Sequence, residues 1–395
     1  MSMGRGEAMT RPQSAQQGII PGSIPLFAGH PAPDLLPAHG IGAVLAGWDE
    51  RPPLRAFNYG DEQGDPLLLD FLLARLNGIE TLGIKRDNLM IVPGSTGGVA
   101  MITRLLTQAG DTVLVDAPSY RDALHIFRDQ GLRLRAIPID AEGPKLDALE
   151  AELERLAAEP ARPRFYYVVP NFQNPSGITI SEDRRRAVIE RSKAHGFIIV
   201  EDDVYSDLRF AGKAPPSFYA LAGGENVLRL GSFSKTLAPG LRLGWLVGSA
   251  RQIADFGASG ILRMGGGANP FCAAVVAEYC RSGAWSAHVD WLRGQYQARR
   301  DLALAALENA MPDGVSWTHP QGGYFIWLRL PDMVDVDTLE RRAQAEQVYF
   351  ANGRGFFAEP AMGAQHLRLS YSYLSHDKLR QGIGSLGRLI AGLSG

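Results

Sequence analysis

The chain has 395 residues, 45% of them hydrophobic and 21% charged, with a formal net charge of −2. That length suits one large and one smaller domain, and the near-neutral balance gives no electrostatic reason to expect a nucleic-acid or anionic-membrane partner. Two cysteines, Cys272 and Cys280, make no disulfide framework or zinc spacing, no apolar run is long enough to span a bilayer, and the first residues lack the apolar core of a signal peptide, so a reducing cytoplasmic setting is expected.

Residues 1–18 are polar and aperiodic and read as a tail, with an N-terminal arm over 19–50. Within the arm, Ile24 to Pro37 is proline-rich and extended, suited to lying across a cleft; Gly29 permits a close backbone approach, and His30 stands beside it. A turn-dense loop, Phe57 to Pro66, carries Tyr59 and precedes an apolar helix from Leu67 to Leu76. Met90 to Pro93 reads as a strand, Gly94 to Gly98 (G-S-T-G-G) as a turn, and Val99 to Gln108 as a helix. Such a unit offers backbone N–H groups and a positive helix end to an anion, although Ser95 or Thr96 serving only as a helix cap explains it equally well.

Strands and helices then alternate. Thr112 to Asp116, Leu134 to Ile139, Phe165 to Val169 and Phe197 to Val200 are apolar strand runs, separated by helical patterns through Phe127, from Leu146 to Ala158 and from Ser181 to His195. Continuous apolar strands with helices between them predict an α/β fold built on a mostly parallel sheet covered on both faces. Ligands of such sheets sit beyond the carboxyl ends of the strands. Gly94–Gly98, Tyr120, Asn171–Gly177, Asp202–Tyr205 and Ser232–Lys235 all fall just after strand ends.

Gly231 to Trp245 reads G-S-F-S-K-T-L-A-P-G-L-R-L-G-W and places Lys235 between two apolar strands. A dehydrated lysine there is a usable nucleophile, and hydroxyls with Arg242 around it suggest a phosphate site. Pyridoxal phosphate needs both, an amine for its aldehyde and an anchor for its phosphate. A surface loop lysine among turn residues is the plainer alternative. Arg263 to Asn269 is a glycine-rich linker, and a long helical stretch from Trp285 to Met311 leads to a small α/β layer that closes with a helix from Asp377 to about Leu393. The expected division is a large domain over 51–285 and a small one over 286–395.

From about Ile24 onward the chain resembles a fold-type I, pyridoxal-phosphate-dependent aminotransferase of class I/II. Within that class it is most similar to the branch holding 2-aminoadipate aminotransferases and the aminotransferase-like domains of some bacterial regulators. The motifs are Y-V-V-P-N-F-Q-N-P-S-G-I-T-I-S (Tyr167 to Ser181), V-E-D-D-V-Y (Val200 to Tyr205) and S-F-S-K-T-L-A-P-G-L-R-L-G-W (Ser232 to Trp245). The resemblance implies a large, seven-stranded-type sheet domain with a small α/β domain. It implies that Lys235 holds the cofactor as a Schiff base and moves the substrate proton, that Asp202 pairs with the pyridine nitrogen, and that Tyr205 and Asn174 bind the ring oxygen. By the same resemblance Tyr120 stacks on the ring, while Ser95, Thr96, Ser232, Ser234 and Arg242 hold the phosphate. Tyr59 would reach the phosphate of a neighbouring subunit in a homodimer with shared sites. Arg368, with Gly29 and Asn174, would bind the substrate α-carboxylate, although a plain strand arginine is the alternative.

The sequence departs from the family pattern in several places. Leu68 and Leu69 stand where Leu-Arg is usual, Asn352-Gly353 where Pro-Gly is common, and Gly265 to Asn269 where a Ser/Thr-containing stretch is usual. The change at Leu68 and Leu69 reads as structural only; the other two, with His30, bear on the substrate pocket rather than on the cofactor core. The implied reaction moves the amino group of an L-α-amino acid to a 2-oxo acid. A cyclase, elimination, substitution or oxidase reaction on the same scaffold is the first alternative, and a non-catalytic effector domain the second.

Overall fold

The computed structural model describes residues 19–49, 52–158 and 162–394; the expected N-terminal tail lies outside them. The central sheet has eight strands, in the order Leu89–Val92, Gly244–Val247, Val227–Ser232, Ile198–Asp202, Pro163–Val168, Thr112–Ala117, Arg133–Asp140 and Gly143–Pro144. The strands from Val227–Ser232 to Arg133–Asp140 pair in parallel, whereas Gly244–Val247 runs antiparallel to both neighbours. Seven strands form the main sheet as expected, and the eighth is a two-residue hairpin turned back on Arg133–Asp140.

The apolar runs supply two cores from one set of strands. Side chains alternate across a strand. Val113, Val115, Phe165 and Tyr167 enter one core with Val99, Ile102, Leu124 and Phe127. Leu114, Tyr166 and Val168 enter the other with Leu68, Leu72, Leu149, Leu153 and Val188. The strands Leu89–Val92 and Thr112–Ala117 are buried throughout, so neither alternates in hydrophobicity.

A second sheet is antiparallel, ordered Ser316–Trp317, Phe325–Arg329, His366–Ser370 and Ala351–Asn352. The N-terminal arm joins this region through Ile24–Pro25, which pairs in parallel with Val348–Tyr349. The 27-residue helix Ala284–Ala310 and the closing helix His376–Ser394 pack beside it. Among the described residues no helix is long and apolar enough to cross a membrane.

Two sequence expectations shift. The glycine-rich turn is itself helical: the helix runs Gly94–Leu106 rather than starting at Val99, and neither Ser95 nor Thr96 caps it. Gly94 takes φ +74°, which absorbs the turn in one residue and leaves the next glycines free to enter the helix. The segment read as a linker begins inside a short helix, Gly260–Gly265. Ser181, in contrast, caps the helix Glu182–His195, accepting from Arg184 N at 3.4 Å.

Beneath the strand ends lies a buried ionic network. Arg185 is fully buried and donates to the carbonyls of Ile180, Pro216 and Pro170 and to Asn171 Oδ1. Asn171 donates to Asp203 at 2.7 Å, and Arg229 pairs with Asp203 and Glu80. Removing one member strands several desolvated groups. Arg185→Met is therefore expected to lower unfolding free energy by about 3–5 kcal/mol. Urea titration checks this, and a loss under about 1 kcal/mol would show that the network does not hold the loops.

Candidate active site

Val227–Ser232 rises to the sheet edge and Gly244–Val247 descends from it, with Ser232 opposite Gly244. The segment joining them is confined to that edge, and it carries both Lys235 and Arg242. Gly244 is obligatory there. A Cβ on it would lie 2.5 Å from Gly231 O and 3.0 Å from Ser95 N, so only glycine lets the first turn of Gly94–Leu106 sit against this strand.

Gly29, Ser95, Thr96, Tyr120, Asn174, Asp202, Tyr205, Ser232, Ser234, Lys235, Arg242 and Arg368 line one cavity of about 400 Å³, and His30 joins them. Tyr59 is not among them: it is 80% exposed and borders a separate hollow with Gly60, Gly266 and Pro270. Sequence reasoning missed Arg121, Asp122, Phe325 and Phe356 in the lining, and Tyr167 beneath it. Arg121 and Asp122 adjoin Tyr120 and could have been found by proximity. The two phenylalanines carry no comparable signal in the sequence.

Lys235 Nζ lies 3.4 Å from the Gly29 carbonyl and 5.8 Å from the centres of the Tyr205 and Tyr324 rings. The Tyr324 hydroxyl donates to the Lys235 carbonyl at 2.8 Å, pinning the main chain, while among the described residues the amine itself makes only the long contact to Gly29. Burial, aided by the positive charge of Arg368, lowers the Lys235 pKa to about 8.

Asp202 closes the far side. Its Oδ2 accepts from the Tyr167 hydroxyl at 2.6 Å, and its Oδ1 is buried with no partner. Burial raises its pKa to about 6, against the opposing pull of the Tyr167 hydrogen bond, the Lys235 charge and the nearby Ser95 hydroxyl. An orphaned buried carboxylate oxygen is costly unless a donor meets it.

Arg368 stands on the second sheet. Its Nη1 donates to Asn174 Oδ1 at 2.8 Å and its Nη2 to the Phe27 carbonyl at 2.7 Å, while Nε is buried and unpaired. Its guanidinium lies 4.2 Å and 5.0 Å from the Phe325 and Phe356 ring centres. Burial lowers its pKa to about 10, so it stays cationic at neutral pH. A Cβ on Gly29 would meet Phe325 at 2.6 Å, so glycine is what admits the arm here.

At the cavity's other end the Gly94–Leu106 helix presents its N-terminus, with Ser95, Thr96, Ser232 and Ser234 nearby. Arg242, held in the left-handed region at φ +51°, brings its guanidinium against Gly94, where an added Cβ would sit 2.8 Å from Nη2. A helix N-terminus, hydroxyls and an arginine form an anion cradle.

Cradle, poised amine and orphaned carboxylate on this α/β sheet define a fold-type I pyridoxal-phosphate enzyme. The family model for aminotransferase class I and II matches residues 54–386, and the chain belongs to that family of pyridoxal-phosphate-dependent aminotransferases. Among curated relatives it is 34% identical to aromatic-amino-acid aminotransferase 1 of Thermococcus litoralis, over 93% of this chain and 88% of that protein. It is 33% identical to the 2-aminoadipate transaminase of Thermus thermophilus, over 99% and 96%. Among solved structures, the kynurenine aminotransferase of Pyrococcus horikoshii superposes with a TM-score of 0.89 at 36% identity, covering 94% of this chain and 91% of that one.

The residues present fit the cofactor. Asp202 Oδ1 lacks the one donor that a protonated ring nitrogen supplies, and the cradle stands ready for the phosphate.

Proposed function

We propose that this cavity is where amino transfer occurs, with Lys235 as the acid–base and cofactor-holding residue. The observation that carries the reading is a lysine of pKa about 8 sharing one cavity with Asp202 and Arg368. Pyridoxal phosphate supplies an aldehyde that condenses with amines and a ring that accepts the electron pair released at Cα.

Each residue then has a task. Lys235 would hold the cofactor through Nζ, and the same amine, when free and neutral, would carry the proton that leaves the substrate Cα. Asp202 keeps the ring nitrogen protonated and thereby stays ionised itself. Tyr205 and the amide of Asn174 serve the ring oxygen, and Tyr120 covers the ring face. Ser95, Thr96, Ser232, Ser234 and Arg242 hold the phosphate. Arg368, with its spare Nε donor, and Asn174 take the substrate α-carboxylate in the space that Gly29 leaves open. A fixed carboxylate also fixes which bond at Cα breaks. The relatives' names point to donors of the aromatic, kynurenine or 2-aminoadipate type; the proposed donor is an L-α-amino acid and the proposed acceptor a 2-oxo acid.

The test is a visible absorption spectrum of cofactor-loaded protein titrated with L-amino acids. Conversion to the pyridoxamine form, reversed by a 2-oxo acid, is the expected result; no spectral response to any amino acid would overturn the assignment. The pH dependence of loading adds a second check. Only the neutral amine attacks an aldehyde, so the loading rate of the apoprotein should rise with pH, with its half-rise near 8. A half-rise near the ordinary lysine value of about 10.4 would mean that Lys235 is not perturbed.

The protein is further proposed to be a homodimer in which Tyr59 reaches the phosphate of the neighbouring site. Leu54, Phe57 and Tyr59 are 77%, 64% and 80% exposed on one short segment, an apolar patch suited to burial against a second copy. Sedimentation velocity should show twice the chain mass; a monomer at micromolar concentration would refute this. The two cysteines are free thiols, in keeping with a reducing, cytoplasmic setting, which cell fractionation would check.

A further inference from the structure

Four cationic side chains line the cavity: Lys235, Arg242, Arg368 and Arg121. Resting on the reading above, the first three are engaged by cofactor and α-carboxylate, and Arg121 is left over.

Arg121 opens the helix Arg121–Asp129, immediately after Tyr120. Its Nε lies 3.5 Å from Asp122 Oδ1, with the two side chains 35% and 44% exposed. An ion pair that open is screened by solvent and holds the side chain only weakly. It orients the guanidinium without occupying its Nη1/Nη2 edge. The stem passes over Gly355, where a Cβ would stand 3.0 Å from Arg121 Cδ. The positive charge is near enough to Arg368 to oppose that residue's own charge.

Asp122 does not offer a matching site for an amine. Its Oδ1 faces Arg121 and its Oδ2 accepts from the Tyr120 hydroxyl at 2.9 Å. The cavity's spare recognition capacity is therefore cationic.

We propose that Arg121 is a specificity-determining residue that receives a second carboxylate at the far end of the substrate side chain, so that the site favours dicarboxylic amino and 2-oxo acids. Arg368 binds one end of such a molecule and Arg121 the other, each through a planar fork that matches carboxylate geometry.

The experiment compares ligands of equal length in the cofactor-loaded protein. Dissociation constants for glutarate and valerate are read from the visible spectrum in wild type, Arg121→Gln and Arg121→Lys. The expected wild-type preference for glutarate is about tenfold or more. It should fall to near one in Arg121→Gln and be partly kept in Arg121→Lys. The ratio of kcat/KM for 2-oxoglutarate over 2-oxovalerate should fall in the same proportion. A wild type that does not prefer glutarate, or an Arg121→Gln protein that keeps the full preference, overturns the proposal. Amino transfer that fails with every acceptor while the binding ratio still responds to Arg121 would count against the catalytic assignment and leave the role of Arg121 standing.

Discussion

Replacing Lys235 with alanine is expected to lower kcat by about 10⁴-fold, the upper end for a positioned acid–base group. The covalent attachment point is lost with the proton carrier, so the lysine-dependent visible band should vanish as well. Folding should not suffer. The folded-state pKa of about 8 lies below the ordinary lysine value, so burial opposes the ammonium form. That penalty is full below about pH 8 and fades as pH rises toward about 10.4, where the unfolded chain also loses its proton. The alanine apoprotein should therefore melt no lower than wild type at pH 7, and the gap between them should narrow as pH rises through that window. A variant keeping more than about 1% of kcat would move the proton-transfer role to another residue.

Arg368→Gln is expected to cut kcat/KM for α-amino acids by roughly 10²–10³, from losing charge-assisted hydrogen bonds worth about 3–4 kcal/mol together. Cofactor loading should survive, because the phosphate cradle does not involve this side chain and burial, the larger cause of the low Lys235 pKa, remains. Arg368→Lys should recover little: a point charge cannot serve Asn174, Phe27 and a carboxylate at once. Stopped-flow titration with substrate, beside a spectrum of the loaded variant, separates binding from loading. Unchanged kcat/KM would return Arg368 to the role of a structural strand arginine.

Most of the fold could be read from the chain because buried parallel strands must be apolar on both faces, and these are. The cavity was legible for the same reason. Once the strands are placed, Tyr120, Asn174, Asp202 and Lys235 can only fall at one edge. What could not be read depends on distant packing. Phe325 and Phe356 look like ordinary strand and loop aromatics until the second sheet brings them against Arg368. Tyr167 shows as one apolar position of a strand, and its hydroxyl matters only because Asp202 on the adjacent strand lies within 2.6 Å. The helix starting at Gly94 escaped because glycine runs ordinarily break helices, and here a single positive φ at Gly94 makes the turn. Tyr59 stands apart because nothing within a single chain brings it to the cavity.

Arg368 grips the carbonyl of Phe27 across 341 residues of chain. The carboxylate site proposed at Arg368 therefore cannot be complete during synthesis until the C-terminal strand has emerged and returned to the arm. On that proposal, recognition of substrate is deferred to the last stage of assembly, and a chain truncated before His366–Ser370 is expected to lack it. Ligands that bind only the finished site stabilise the whole native state by mass action. Protection of the earliest and latest parts of the chain should rise together when a carboxylate is added, making this one contact a reporter of complete folding.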